Sequence, residues 1–107
     1  MRRAVVACVF AAGALAACAR RTPPYATTID AQRANVELAE LEQGRALTIR
    51  KCGSCHQPPL PRDHTSAEWP SKLDEMAARA NLDARQRHVI EQYLVVMADA
   101  PAATAKR

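Results

Sequence analysis

A chain of 107 residues, 49% hydrophobic but only 4% aromatic, has material for one small domain with a thin core and not for two. Its formal charge of +4 is not gathered into a long Lys/Arg block, so the basic balance gives no reason to expect nucleic acid.

Met1-Arg2-Arg3 opens on positive charge, and Ala4 to Ala17 then runs apolar without a charge. A basic start, a short apolar run and small residues at its end predict a secretory signal over residues 1–17. The run is too short to cross a bilayer as a helix. Leu15-Ala16-Ala17-Cys18 resembles the lipobox of bacterial lipoproteins, which implies cleavage before Cys18 and a lipid on that cysteine. The plainer alternative is ordinary cleavage after a small residue nearby, with Cys18 incidental. Ala19, where the enteric sorting rule would look for Asp, favours the outer over the inner membrane. Cleavage there removes Arg2 and Arg3 and leaves 13 basic residues against 11 acidic ones, about +2.

Residues 18–29 contain Pro23, Pro24 and three threonines without an apolar period, which predicts a lipidated N-terminus followed by a linker. The folded domain is expected over residues 30–99, with residues 100–107 as a polar tail. Asp30 is a good N-cap for a first helix reaching to about Lys51, with Leu38, Leu41 and Leu47 near one face. Gly44 interrupts it at a cost of about 1 kcal/mol against alanine, which calls for a packing reason. Residues 57–64 hold three prolines in four positions and can be neither helix nor central strand. Thr65-Ser66-Ala67-Glu68 matches a capping box, so a second helix is expected from about Ser66 to Ala80, with Pro70 in its first turns. Asp83 caps a third helix to about Ala98, whose Val89, Ile90, Tyr93, Leu94 and Met97 recur at helical spacing. The fold class is all-α.

Cys52-Gly53-Ser54-Cys55-His56 carries the chemistry. C-x-x-C-H reads as a site for covalent attachment of one c-type haem. Two thiols on one turn can reach the two vinyl groups of a porphyrin, and the histidine that follows sits beneath the iron as its proximal ligand. Small residues between the thiols let the haem edge lie close. A thiol–disulfide couple would need a thioredoxin-like βαβ pattern, which is missing. A zinc site would need two more ligands, and His64 and His88 offer them only at irregular spacing.

Residues about 37–97 resemble a small bacterial class I cytochrome c. Gly44 lies eight residues before Cys52, as the glycine of that family's first helix does, and Ile90-Glu91-Gln92-Tyr93-Leu94 matches its closing apolar-x-x-aromatic-Leu pattern. The resemblance implies a small cytochrome c fold of about three helices around one haem, in which the first and last helices cross with Gly44 against Tyr93. Thr48 stands where the family often has an aromatic, which implies a looser interface with Leu47 compensating. Pro58, Pro59 and Leu60 imply a proline carbonyl accepting from the Nδ1–H of His56 and a leucine on the ring. Stiffening of the loop is the prolines' other reading.

Four side chains are candidates for the sixth iron ligand: His64, Met76, His88 and Met97. Met76 precedes Tyr93 by 17 residues, a spacing similar to that of the family's axial methionine, and methionine suits electron transfer. Met97 fits core packing better, and His88, beside Arg85 and Arg87, fits the surface. Trp69 either donates its indole N–H to a haem propionate or packs in the core. Arg62 and Lys72 could meet propionates, though solvation suits each better.

The resemblance implies an electron carrier with no catalytic residues and no small-molecule substrate. Its partners would be redox proteins, and a lipid would hold it to the periplasmic side of a membrane. The alternatives are a haem-based gas or redox sensor, or a cytochrome subunit of a larger oxidoreductase.

Overall fold

The computed structural model describes residues 21–101, and these form four α-helices and no strand. The helices are α1 (Thr28–Ala34), α2 (Leu38–Leu47), α3 (Trp69–Ala77) and α4 (Ala84–Ala98). The all-α expectation holds. The signal segment, Cys18 and residues 102–107 lie outside the described residues. Among the described residues no helix is long and apolar enough to cross a membrane.

The single first helix expected from Asp30 to Lys51 is two helices and a π-turn. Thr27, not Asp30, is the N-cap: its hydroxyl accepts from the Asp30 N–H at 3.2 Å, and Asp30 accepts in return from the Thr27 N–H at 2.8 Å. Asp30 is buried and also meets Arg33 at 3.2 Å. Replacing it with alanine removes the reciprocal cap and strands the Thr27 N–H, so Asp30→Ala should cost about 2 kcal/mol in urea unfolding. The helix stops because Asn35 adopts the left-handed conformation, at φ 53° and ψ 49°. The Val36 N–H then reaches back to the Ala31 carbonyl at 3.0 Å, closing the end.

After α2 the chain widens into a π-helix over Thr48–Cys52. Thr48 is fully buried, and its hydroxyl donates to the Gly44 carbonyl at 2.8 Å. Such back-bonding bends helices, and π-turns often mark functional sites. The looser interface expected at Thr48 is therefore a buried, hydrogen-bonded one.

The second helix is shorter than expected. Thr65 and Glu68 do form the cap, with the Thr65 N–H on the Glu68 carboxylate at 2.8 Å. Those bonds hold the Glu68 carboxyl below its ordinary range. Yet residues 66–68 make only a turn, and α3 begins at Trp69 with Pro70 in its first turn. A second left-handed asparagine, Asn81 at φ 53°, turns the chain into α4. Asp83 caps α4 as expected, accepting from the Gln86 N–H at 2.7 Å.

The core lies between α2 and α4. Leu41 and Leu47 meet Val89, Ile90, Tyr93, Leu94 and Met97, with Trp69 and Leu73 closing one side. Each of these side chains contributes roughly 1.5–3 kcal/mol by burial. The expected crossing is present: a Cβ on Gly44 would stand 2.6 Å from the Tyr93 Cβ and collide with the Val89 carbonyl oxygen.

Residues 21–27 correct the linker expectation, because they are extended but docked. Pro23 and Ala26 are buried. The Pro23 carbonyl accepts from Arg45 Nε at 2.8 Å, and the Pro24 carbonyl accepts from the Tyr93 hydroxyl at 2.6 Å. The Arg45 guanidinium lies 3.6 Å over the Tyr25 ring. Arg21 pairs with Asp63 at 2.5 Å. Prolines in an extended strap have no N–H to leave unsatisfied, while their carbonyls remain free to accept. The folded unit therefore begins before residue 30, and Ala100 packs against its core at the other end.

Candidate functional site

The π-turn delivers Cys52 into a cavity of about 230 Å³ that it shares with Cys55, His56 and Met76. Four soft or nitrogen donors from two distant stretches of sequence thus face one space. Lys51 and Arg79 stand at its wall, and neither has an ion-pair partner among the described residues. Cys52 is 5% exposed, whereas Cys55 and His56 are exposed. No disulfide joins the two cysteines.

Gly53 is required by the turn. A Cβ there would collide with the Ile49 carbonyl oxygen and lie 3.2 Å from Pro58 Cγ. The Gly53 N–H bonds that same Ile49 carbonyl at 3.0 Å. Ser54 donates to the Lys51 carbonyl at 3.0 Å, which ties the second thiol to the π-turn. His56 Nδ1 lies 2.7 Å from the Gln57 carbonyl oxygen, so in the tautomer that donates there, Nε2 keeps its lone pair for a metal. The expected proline carbonyl is replaced by that of Gln57, because the partner is the very next residue and needs no loop to bring it round. Pro58 and Pro59 are half-buried, and Leu60 is buried with its N–H on Asp63 at 2.9 Å.

The sixth-ligand candidates separate by place. Met76, in the last turn of α3, is half-buried and lines the cavity. Met97 is 3% exposed in the core between the helices. His88 is exposed on α4. His64 stands edge-on to Trp69, with ring centroids 4.9 Å apart. Trp69 is fully buried, and its indole N–H donates to the Pro61 carbonyl at 2.9 Å. That donor is taken up by a backbone carbonyl, and Trp69 packs in the core. Lys72 lies 3.8 Å from Glu75, and Arg62 is exposed.

Burial and the neighbouring Cys55 both push the Cys52 thiol above its ordinary pKa. A smaller thiolate fraction and poorer access act in the same direction. In the haem-free folded chain, iodoacetamide at pH 8 should therefore alkylate Cys55 at least about tenfold faster than Cys52, as read by peptide mass mapping. Equal rates would show that the buried setting of Cys52 is not kept.

Haem fits this donor set. The thiols lie on one short turn, the imidazole has one nitrogen held and one free, and the thioether comes from another helix onto the same cavity. Gln57, Lys51 and Arg79 were not singled out by the sequence. Gln57 carries its cue only in being adjacent to His56, and Arg79 only in lying three residues beyond Met76. Comparison with known proteins gives no match: no family model, no curated protein and no solved structure corresponds to the chain.

Proposed function

We propose that this chain is a monohaem c-type cytochrome that carries electrons, held by a lipid on Cys18 at the periplasmic face of a membrane. The observation that supports it best is the meeting of Cys52, Cys55 and His56 with Met76 around one cavity, two of whose walls are 20 or more residues apart in sequence. Cys52 and Cys55 would hold the haem by thioether bonds, and His56 Nε2 and the Met76 sulfur would ligate its iron. When bound, the haem supplies an iron that passes between ferric and ferrous states.

The chain's part is to keep that change cheap. The Gln57 carbonyl holds the His56 ring by its Nδ1. Met76 is set by the last turn of a helix, so neither ligand needs to move on electron gain. Lys51 and Arg79 line the same cavity and would be available to pair with the carboxylates of a porphyrin. Cys55 and His56, at the exposed side, would leave an edge open to a redox partner.

The test is Met76→Ala in the haem-loaded protein, read by optical spectra of both oxidation states. Met76→Ala should abolish the far-red ferric band characteristic of a methionine–sulfur bond and leave a high-spin iron that binds carbon monoxide readily. The reduction potential should fall by on the order of 100 mV or more, since methionine ligation raises it. An unchanged low-spin spectrum would remove Met76 from the iron. A wild-type spectrum already high-spin and open to carbon monoxide would replace the carrier with a haem-based sensor.

A further inference from the structure

Among the described residues, the large hydrophobic side chains left exposed are Tyr25 and Ile29, 61% and 64% exposed. Both lie on the N-terminal strap and the first turn of α1, within eleven residues of Cys18. The charged side chains beside them are two arginines and one buried carboxylate. Arg45 lies over the Tyr25 ring, and Arg33 follows Ile29 by one turn. The only carboxylate of α1, Asp30, is buried and turned to Arg33.

The strap also fixes where a lipid anchor would attach. Arg21 is already bound to the domain, through its side chain on Asp63 and its N–H on Gln57 Oε1 at 3.3 Å. Only three peptide units separate it from Cys18. Extended, they span at most about 11 Å. A domain held that close cannot swing freely between partners.

Resting on the lipidation of Cys18 proposed above, we propose that the strap edge carrying Tyr25 and Ile29 is a membrane-contact surface, so that the domain lies on its bilayer in one orientation. A tyrosine at headgroup level, an apolar side chain beside it and flanking arginines are the composition that anionic lipid interfaces accept. Because the Arg21 N–H bonds the residue that follows His56, this orientation keeps the His56 loop close to the lipid surface. The electron partner it fits is then one embedded in, or lying on, the same membrane.

The test uses the full acylated, haem-loaded protein in vesicles of phosphatidylethanolamine and phosphatidylglycerol. A nitroxide is placed on Ile29→Cys and, in a second preparation, on Glu75→Cys of α3. Intact mass reads the lipid, the haem and a single label on the same sample. At position 29, collision with oxygen should exceed collision with a water-soluble nickel chelate severalfold, and at position 75 the order should reverse. Equal nickel access at both positions, with lipid present on Cys18, overturns the contact and leaves the anchor standing. A mass without lipid overturns the anchor and the contact with it. Shielding at position 29 that persists in a non-acylated Cys18→Ser chain in solution points to a second copy on this face and overturns the membrane assignment. Adding Tyr93→Phe with Arg45→Ala releases the Pro23 and Pro24 carbonyls. Nickel access at position 29 should then rise severalfold with folding intact by circular dichroism, and an unchanged value overturns the role of the strap.

Discussion

Gly44→Ala is expected to destabilise the folded chain by about 3 kcal/mol, read as a lower urea midpoint with an unchanged slope. The sign is diagnostic, because intrinsic helix propensity alone would make the same substitution favourable by about 1 kcal/mol. What reverses it is the approach of α4. The added methyl would collide with the Val89 carbonyl oxygen and stand 2.6 Å from the Tyr93 Cβ. Both obstacles belong to backbone or to the root of a side chain, so no rotamer change relieves them. The helices must separate, and separation loosens Leu41, Leu47, Ile90 and Leu94 together. Against a total stability of about 5–15 kcal/mol for a domain, that is a large fraction. The displacement would also reach the strap, since the Tyr93 hydroxyl that holds the Pro24 carbonyl moves with α4. A stabilised or neutral Gly44→Ala variant would show that the two helices do not cross at this glycine.

The same contact explains what the sequence made legible. Gly44 was readable as a helix glycine that calls for a packing reason and Tyr93 as an aromatic at helical spacing, whereas their meeting was implied only by the family resemblance. The α4 face was readable for the same reason, as five apolar residues recur at the helical period and Asp83 marks their start. The break between α1 and α2 was not. Asn35 stops the helix by adopting a left-handed conformation that asparagine tolerates but does not announce as glycine would. The strap was hidden more deeply. Pro23, Pro24 and Tyr25 have the composition of a linker, and nothing local shows that their carbonyls and ring are claimed by Arg45 and Tyr93, twenty or more residues away. At the site, the C-x-x-C-H spacing was plain, and so was Met76 as a candidate. The Gln57 carbonyl beside His56 was not, because any residue in that place would offer the same backbone group.

Replacing both thiols gives the largest expected effect on the proposed function. In the doubly substituted chain, Cys52→Ala with Cys55→Ala, haem should be lost completely on denaturation, so that the intact mass after acid and solvent matches the bare polypeptide. Each single variant should retain one haem through its remaining thioether. The two singles should nonetheless differ. Cys52 is 5% exposed, so its loss leaves a small void worth about 1 kcal/mol even before the cofactor is counted. Cys55 is exposed, and its replacement leaves the haem-free fold unchanged within about 0.5 kcal/mol. A covalent link holds the group at an effective concentration that dissociation cannot dilute. Without it, any stabilisation by haem becomes a mass-action term that grows with free haem. The melting temperature of the double variant should therefore depend on added haem, whereas that of the parent should not. A parent chain that never acquires the haem mass in a host able to attach it, while its two thiols oxidise reversibly to a disulfide, would assign Cys52 and Cys55 to thiol redox chemistry instead.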